Sequence, residues 1–99
     1  MMTESQWLTR AITFSLGKCK IYDRPFYIEE RLQPDGRRLW ILKMEYSNGW
    51  VLGKDAEWHY ESLPSSRTDE FIKLTRWTSP DEVHTFWVEN IKEAKVLFV

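Results

Sequence analysis

Apolar and polar side chains alternate with period two through the middle of the chain, and this pattern predicts β-strands with two different faces. Between residues 26 and 32, the side chains of Phe26, Ile28 and Leu32 fall on one face together with Glu30. The opposite face carries Tyr27, Glu29 and Arg31.

Tight turns divide the alternating region into four strands. Gln33-Pro34-Asp35-Gly36 is the strongest turn signal, because proline presets the first turn position and glycine supplies a positive φ. Ser47-Asn48-Gly49 and Gly53-Lys54-Asp55-Ala56 mark the next two turns. The predicted strands are 26–32, 38–44, 50–52 and 57–61. The second is apolar almost throughout, which predicts a central strand covered on both faces.

The last predicted strand has a polar and an aromatic face. Trp58 and Tyr60 share the face that a helix is expected to cover. Glu57, His59 and Glu61 share the other face. This trio offers ligands for a metal or a proton relay, whereas alternating charged residues are also what a solvated sheet face requires.

Helix start signals follow the sheet. Ser66 is the predicted N-cap of a short helix over 67–74, with Asp69 and Glu70 in its first turn. Residues 75–77 are expected to be extended. Ser79-Pro80-Asp81-Glu82 then predicts the main helix, with a serine cap, a proline at the first position and a glutamate in capping-box position. Its apolar stripe is Val83, Phe86, Trp87, Ile91 and Ala94.

The N-terminal region allows two interpretations. Thr3 and Gln6 fit a capping box, and the apolar residues up to Leu16 have helical spacing, with Gly17 as a natural stop. The alternative is that residues 11–16 begin a first strand. Residues 18–24 alternate basic and apolar side chains and predict a short edge strand.

The predicted fold class is α+β. An antiparallel meander sheet of four to five strands is packed by a C-terminal helix, with an N-terminal helix and a short helix after the sheet. The length of 99 residues predicts a single domain over 1–99. The apolar residues 96–99 either add a last strand or pack at the end.

Six tryptophans are more than one small core is expected to bury, since each buries ~200 Å². We therefore expect one or two of them on a partner surface, because interfaces are enriched in tryptophan. The single cysteine, Cys19, excludes an internal disulfide and fits a reducing cytoplasm. No apolar run approaches the ~20 residues of a membrane span, so no membrane partner is expected.

The charge balance disfavours binding of nucleic acid by charge alone, because the net charge is −1. Five basic residues lie near aromatic ones and form the alternative, nucleic-acid-binding prediction: Lys18, Lys20, Arg24, Arg37 and Arg38. Acidic side chains are instead concentrated between residues 54 and 71. We call the predicted partner-binding group in that stretch the acidic corner; it consists of Glu57, His59, Glu61, Arg67, Asp69 and Glu70.

Catalytic constellations are missing from the sequence. It contains no C-x-x-C or H-x-x-x-H pair, no phosphate loop, no dinucleotide fingerprint and no nucleophile elbow. We therefore expect no enzyme activity and no cofactor. An enzyme or metal protein built on His59 with Glu57 and Glu61 is the least favoured hypothesis.

One block of the sequence resembles a group of small phage and bacterial proteins. The block is Trp58-x-Tyr60-Glu61-x-x-Pro64-Ser65-Ser66-Arg67-x-x-Glu70-Phe71, followed by Thr75-Arg76-Trp77 and the Ser79-capped helix. The group shows W-x-Y-E-P-x-P-S-S-R-x-[DE]-x-F after a sheet, and the resemblance covers roughly residues 26–91. This chain departs from it at Ser62, where proline is usual, and at Gly53, where asparagine is common.

The resemblance implies a fold and a phage-like origin but no reaction, since the group has no assigned activity. Together with the small size and the surplus of aromatic residues, it predicts a non-enzymatic binding protein in the host cytoplasm. Its expected partner is a host protein or protein complex, which it inhibits or modulates in an anti-CRISPR-like or host-takeover role. A monomer or homodimer is expected.

Overall fold

The computed structural model describes residues 12–63 and 66–93. Five strands and two helices follow one another in this part of the chain. They are β1 (Thr13–Lys18), β2 (Pro25–Leu32), β3 (Arg38–Met44), β4 (Trp50–Leu52), β5 (Trp58–Tyr60), α1 (Asp69–Thr75) and α2 (Pro80–Asn90).

The strands form one antiparallel sheet in the order β1-β2-β3-β4-β5, so each strand pairs with its neighbour in sequence. The predicted α+β class and the antiparallel meander are confirmed. The β2–β3 turn closes as predicted: the Gly36 N–H donates to the Gln33 carbonyl at 2.9 Å, and Gly36 has φ 88°. The five-residue β3–β4 connection ends in a turn in which Asn48 and Gly49 both have positive φ and the Trp50 N–H donates to the Ser47 carbonyl at 3.1 Å.

The helix predicted up to Leu16 is wrong for residues 13–16, which lie in β1. β1 pairs with β2 from Thr13 opposite Glu29 to Lys18 opposite Pro25, with a bulge between Ser15 and Gly17. Pairing with β2 outweighs the helical spacing, and the alternative first-strand interpretation holds for these residues. The remainder of that predicted helix, residues 3–11, lies outside the described residues.

The predicted edge strand at 18–24 is also wrong, because only Lys18 belongs to a strand. After Lys18 the chain leaves the sheet as an irregular connection, and Cys19 is buried in the core.

One face of the sheet, which we call the apolar face, packs against α2. Strand register places Ile28 beside Leu42, and Leu42 beside Leu52. The helix contributes the buried side chains Val83, Trp87 and Ile91 to the same core. These three residues belong to the predicted apolar stripe, and Phe86 packs against the same cluster; Ala94 and residues 96–99 lie outside the described residues.

The opposite face, which we call the ionic face, carries Arg31, Ile41, Val51 and His59. The register places Ile41 opposite Glu29, and Val51 opposite His59. Ile41 and Val51 are fully buried although they lie outside the α2 core cluster. The helix α1 lies along this face, where Ile72 lines a groove together with Leu39 of β3. β3 is therefore covered on both faces, as predicted.

α1 begins later than the sequence indicates. Its N-cap is Thr68, whose side-chain oxygen accepts the Phe71 N–H at 3.1 Å, rather than Ser66. Ser66 lies in the preceding turn, where its N–H donates to the Leu63 carbonyl. The start of α2 is confirmed, since the Ser79 hydroxyl accepts the Glu82 N–H at 3.2 Å and Pro80 occupies the first turn.

The segment between the helices returns to the sheet. Trp77 forms an isolated antiparallel bridge with Trp40, and each residue's N–H donates to the other's carbonyl at 2.9 Å. The extended prediction is confirmed for Arg76 and Trp77 but is wrong for Thr75, which is the last residue of α1. β4 is short and pairs with β3 at Leu42, opposite Leu52. The bridge to Trp77 pairs the same edge of β3 two residues earlier, at Trp40. Within the described residues, no helix is long and apolar enough to cross a membrane.

Candidate functional site

An arginine–glutamate cluster lies on the ionic face and consists of Glu29, Arg31, Glu61 and Arg76. Arg31 donates from Nε and Nη2 to one Glu61 oxygen at 3.3 and 3.1 Å. Arg76 donates from Nη2 to the other oxygen, and Arg31 also pairs with Glu29. The Arg76 side chain is 1% exposed and that of Glu61 is 8% exposed, so this is a buried ionic network.

Two opposing effects set the protonation of this cluster. Burial alone would raise the pKa of Glu61, but hydrogen bonds and charge from Arg31 and Arg76 hold that pKa below its usual value. Burial lowers the pKa of Arg76 even though Glu61 favours its charged form. Arginine remains charged at any ordinary pH, so the network stays ionic and acts as internal support for the sheet.

The structure divides the acidic corner. The sequence suggested that Glu61 belongs to an exposed group. In the structure it lies inside the arginine–glutamate cluster instead. Arg67 is half-buried and donates from Nε to the Ser62 carbonyl at 2.8 Å, which braces the loop between β5 and α1. The exposed members are Glu57, Asp69 and Glu70.

His59 pairs with a residue that the sequence did not assign to it. Its Nε2 lies 3.0 and 2.9 Å from the two carboxylate oxygens of Asp55, across the β4–β5 turn. The pair covers buried Gly53, where a Cβ would come within 2.5 Å of the Asp55 carboxylate and 2.7 Å of the His59 ring. A side chain at position 53 would therefore force the Asp55 and His59 side chains to move apart from their present positions.

Asp55, Glu57 and His59 are also the residues best placed to hold a metal, since their ligand atoms lie within 4.8 Å of one another. One nitrogen and two carboxylates at ~2.0–2.2 Å would leave an open coordination position. The sequence predicted Glu57, His59 and Glu61 as the possible metal ligands. In the structure Asp55 takes the place of Glu61, whose carboxylate is bound by Arg31 and Arg76. The direct His59–Asp55 hydrogen bond accounts for this arrangement without an ion.

Aromatic side chains are exposed at one end of the sheet. We call Tyr46, Trp50, Trp58 and Tyr60 the aromatic edge. Trp50 is 45% exposed, Tyr60 59% and Tyr46 71%. The rings of Trp50 and Tyr60 meet edge to face with centroids 5.5 Å apart. Tyr46, Trp50 and Trp58 line a groove of about 360 Å³ together with Arg24 and Met44.

Sequence reasoning predicted exposed tryptophan but not its position. Period two correctly placed Trp58 and Tyr60 on one face, yet it implied that a helix covers both. The surplus of tryptophans in the sequence was the signal that some of them would be exposed. In the part of the chain that the structure describes, Trp40, Trp77 and Trp87 are buried, whereas Trp50 is exposed.

The five residues of the nucleic-acid prediction do not meet on one surface. Lys18, Lys20 and Arg24 lie in or near the β1–β2 connection, and Arg37 and Arg38 lie at the β2–β3 hairpin. The eight-residue strand β2 separates these ends by about 25 Å at ~3.4 Å per residue. Four of the five also contact a carboxylate. These ion pairs are Lys18–Asp23, Lys20–Glu93, Arg37–Asp35 and Arg38–Glu30.

Comparisons of the chain with protein-family models, with curated proteins and with solved structures gave no match. The resemblance to small phage and bacterial proteins stays a prediction from the sequence.

Proposed function

We propose that this chain is a non-enzymatic binding protein that contacts another protein through its aromatic edge. The observation that carries the proposal is the exposure of adjacent Trp50 and Tyr60, whose rings meet edge to face on the paired strands β4 and β5. Tryptophan and tyrosine are the residues that most often dominate binding energy at protein interfaces. Two rigid rings on paired strands provide such an anchor at a small cost in conformational entropy.

The polar surroundings suit a protein partner. Arg24 and Ser47 lie in the same groove as Trp50 and surround an apolar centre with hydrogen-bonding groups. The exposed acidic residues Glu57, Asp69 and Glu70 stay a predicted second contact, through which a basic partner surface would be recognised. Glu61 is excluded from that contact because it is buried.

The sequence resemblance implies a phage-like origin, and the small size and the surplus of aromatic residues support an interaction role. We infer a phage or mobile-element protein that occupies the surface of a host protein complex and inhibits or modulates it, in an anti-CRISPR-like or host-takeover role. The protein would act in the host cytoplasm as a monomer or homodimer. The lack of a catalytic constellation in the sequence supports binding rather than a reaction.

A capture experiment tests the proposal. The purified chain would be compared with its Trp50→Ala/Tyr60→Ala variant as bait for bacterial host lysate. We expect a specific protein that the wild-type chain retains and the variant loses. Leu32→Ala is the matched control, because Leu32 is an exposed apolar residue at the hairpin end of the sheet. A partner retained equally by all three chains would show that binding occurs elsewhere.

A single-stranded nucleic acid is the second candidate for the same surface. The favouring observation is that Arg24 lines the groove beside Tyr46 and Trp50, since aromatic rings beside a cation can stack bases. Salt-dependent retardation of an oligonucleotide that is lost in Trp50→Ala/Tyr60→Ala would support this candidate over a protein partner. Retardation that is unchanged in that variant would contradict it.

A further inference from the structure

A second groove, on the ionic face, combines an apolar wall with positive charge. It has a volume of about 390 Å³ and lies between α1 and the sheet. Leu39 from β3 and Ile72 from α1 provide the apolar wall. Lys54, Lys73 and Arg76 also line it, against a single carboxylate, Asp69.

The two lysines are held close to each other by the backbone. The Lys54 N–H donates to the Leu74 carbonyl at 2.8 Å, which fixes the β4–β5 turn against the last turn of α1, where Lys73 lies. Across residues 12–63 and 66–93, neither lysine has a carboxylate within ion-pair distance. Lys54 instead places its ammonium group 5.5 Å from the centre of the Trp77 ring. Both charges are therefore available to an anion.

Arg76 adds a buried donor without an acceptor. Its Nη1 donates to the Thr75 hydroxyl, and its Nη2 donates to Glu61. Its Nε has no hydrogen-bond partner, although the side chain is almost fully enclosed. A buried donor without a partner is unfavourable and is uncommon in folded proteins, so it calls for an explanation. An anion in the adjoining groove would provide the missing acceptor after a small shift of the side chain.

We propose that this groove binds the phosphate group of a small anionic ligand, with Lys54 and Lys73 as its cationic contacts and the buried Nε of Arg76 as a further donor once that side chain shifts. Guanidinium and ammonium groups together favour phosphate, which accepts several charge-assisted hydrogen bonds at once. The organic part of the ligand would lie along Leu39 and Ile72. Among the described residues that line the groove, Asp69 has the one unfavourable charge, and it selects for ligands whose negative charge lies at the lysine end.

The space next to this groove has room for such a ligand. A neighbouring groove of about 730 Å³ shares Arg37, Asp69 and Ile72 with the first, so the two lie side by side. The lining of the phosphate groove contains no aromatic side chain, and bases therefore have no ring on which to stack. This favours a small phosphorylated molecule over a nucleic-acid strand, and it distinguishes the groove from the aromatic edge.

Titration calorimetry with inorganic pyrophosphate at low ionic strength tests the proposal. We expect saturable binding by the wild-type chain, weakened at least about tenfold in Lys54→Gln/Lys73→Gln, as expected when charge-assisted hydrogen bonds are lost. Lys18→Gln/Lys20→Gln removes the same net charge from another part of the molecule and should change the affinity less than about twofold. Equal weakening in both double variants would overturn the proposal, because binding would then depend on net charge alone.

Two further measurements complete the test. Pyrophosphate should raise the melting temperature of the wild-type chain and of Trp50→Ala/Tyr60→Ala, but not that of Lys54→Gln/Lys73→Gln. No saturable binding by the wild-type chain would overturn the proposal. An oligonucleotide whose binding is lost in Lys54→Gln/Lys73→Gln, and with which pyrophosphate does not compete, would also overturn it, because the ligand would then be a nucleic acid.

Discussion

The two faces of the sheet are closed by different chemistry, although they share the central strand β3. On the apolar face, Leu42 and the α2 side chains exclude water by packing hydrocarbon and aromatic groups. On the ionic face, buried Ile41 and Val51 lie alongside a network in which Glu61 bridges Arg31 and Arg76. A strand can thus be fully buried on both sides while only one side is a conventional hydrophobic core.

The difference implies two kinds of sensitivity to mutation. The apolar face responds to lost volume, because a cavity costs both transfer energy and packing contacts. The ionic face responds to lost charge, because removing one member of a buried pair leaves its partner desolvated and uncompensated. A substitution that conserves shape should therefore be tolerated on the first face and harmful on the second.

The largest effect is expected on the apolar face, from Trp87→Ala. Removing a buried tryptophan from the α2 stripe should lower the free energy of unfolding by ~4 kcal/mol, measured by urea denaturation. Val88→Ala, on the exposed side of the same helix, should cost less than ~0.5 kcal/mol. Similar losses for both would mean that α2 does not pack on this face as described.

Glu61→Gln tests the ionic face with almost no change in volume. It should lower the free energy of unfolding by ~3 kcal/mol, since Arg31 and Arg76 lose the charge that compensates their burial. Glu57→Gln is the control, because Glu57 is an exposed glutamate on the same strand face and should have an effect below ~0.5 kcal/mol. A loss for Glu61→Gln as small as for the control would show that solvent screens the cluster.

The pH dependence of stability separates charge from shape. The folded-state pKa of Glu61 lies below its ordinary value of 4.5, so the stability it contributes is complete above that pH and is lost as the pH falls toward the lowered pKa. The difference in unfolding free energy between the wild-type chain and Glu61→Gln should therefore shrink as the pH falls from 4.5 toward the lowered pKa of Glu61. A difference that is constant with pH would assign the effect to packing.

The smallest effect is expected at the surface. Lys20→Gln breaks an ion pair with Glu93 in which both side chains are more than half exposed. Solvent and salt screen such pairs, so the denaturation midpoint should not change measurably. A clear loss of stability in Lys20→Gln at low salt would contradict this prediction, because it would show that an exposed ion pair stabilises the fold.

Much of the sheet was predictable because its signals are local. Gly36 and Asn48-Gly49 fix their turns through positive φ, and the apolar run of β3 indicates burial on both sides. The segment before Gly17 was not predictable in the same way. Its apolar residues fit two periodicities, and pairing with β2, a long-range contact, decides between them.

The site residues show the same division. Alternation correctly placed His59 and Glu61 on one face, but sequence cannot show that an arginine beyond α1 returns to pair with Glu61. Nor does it show that His59 reaches back over Gly53 to Asp55. Exposure of Trp50 depends on how far the sheet extends beyond α2, which is set by tertiary packing and not by local sequence.

The Trp40–Trp77 bridge has a consequence for synthesis of the chain on the ribosome. All five strands are made before Trp77, so the sheet can pair while part of the β3 backbone still lacks its final partner. An unpaired strand edge can recruit a strand from another molecule. Emergence of the segment after α1 would end that exposure, and nascent chains that stop before Trp77 should be the ones most prone to self-association.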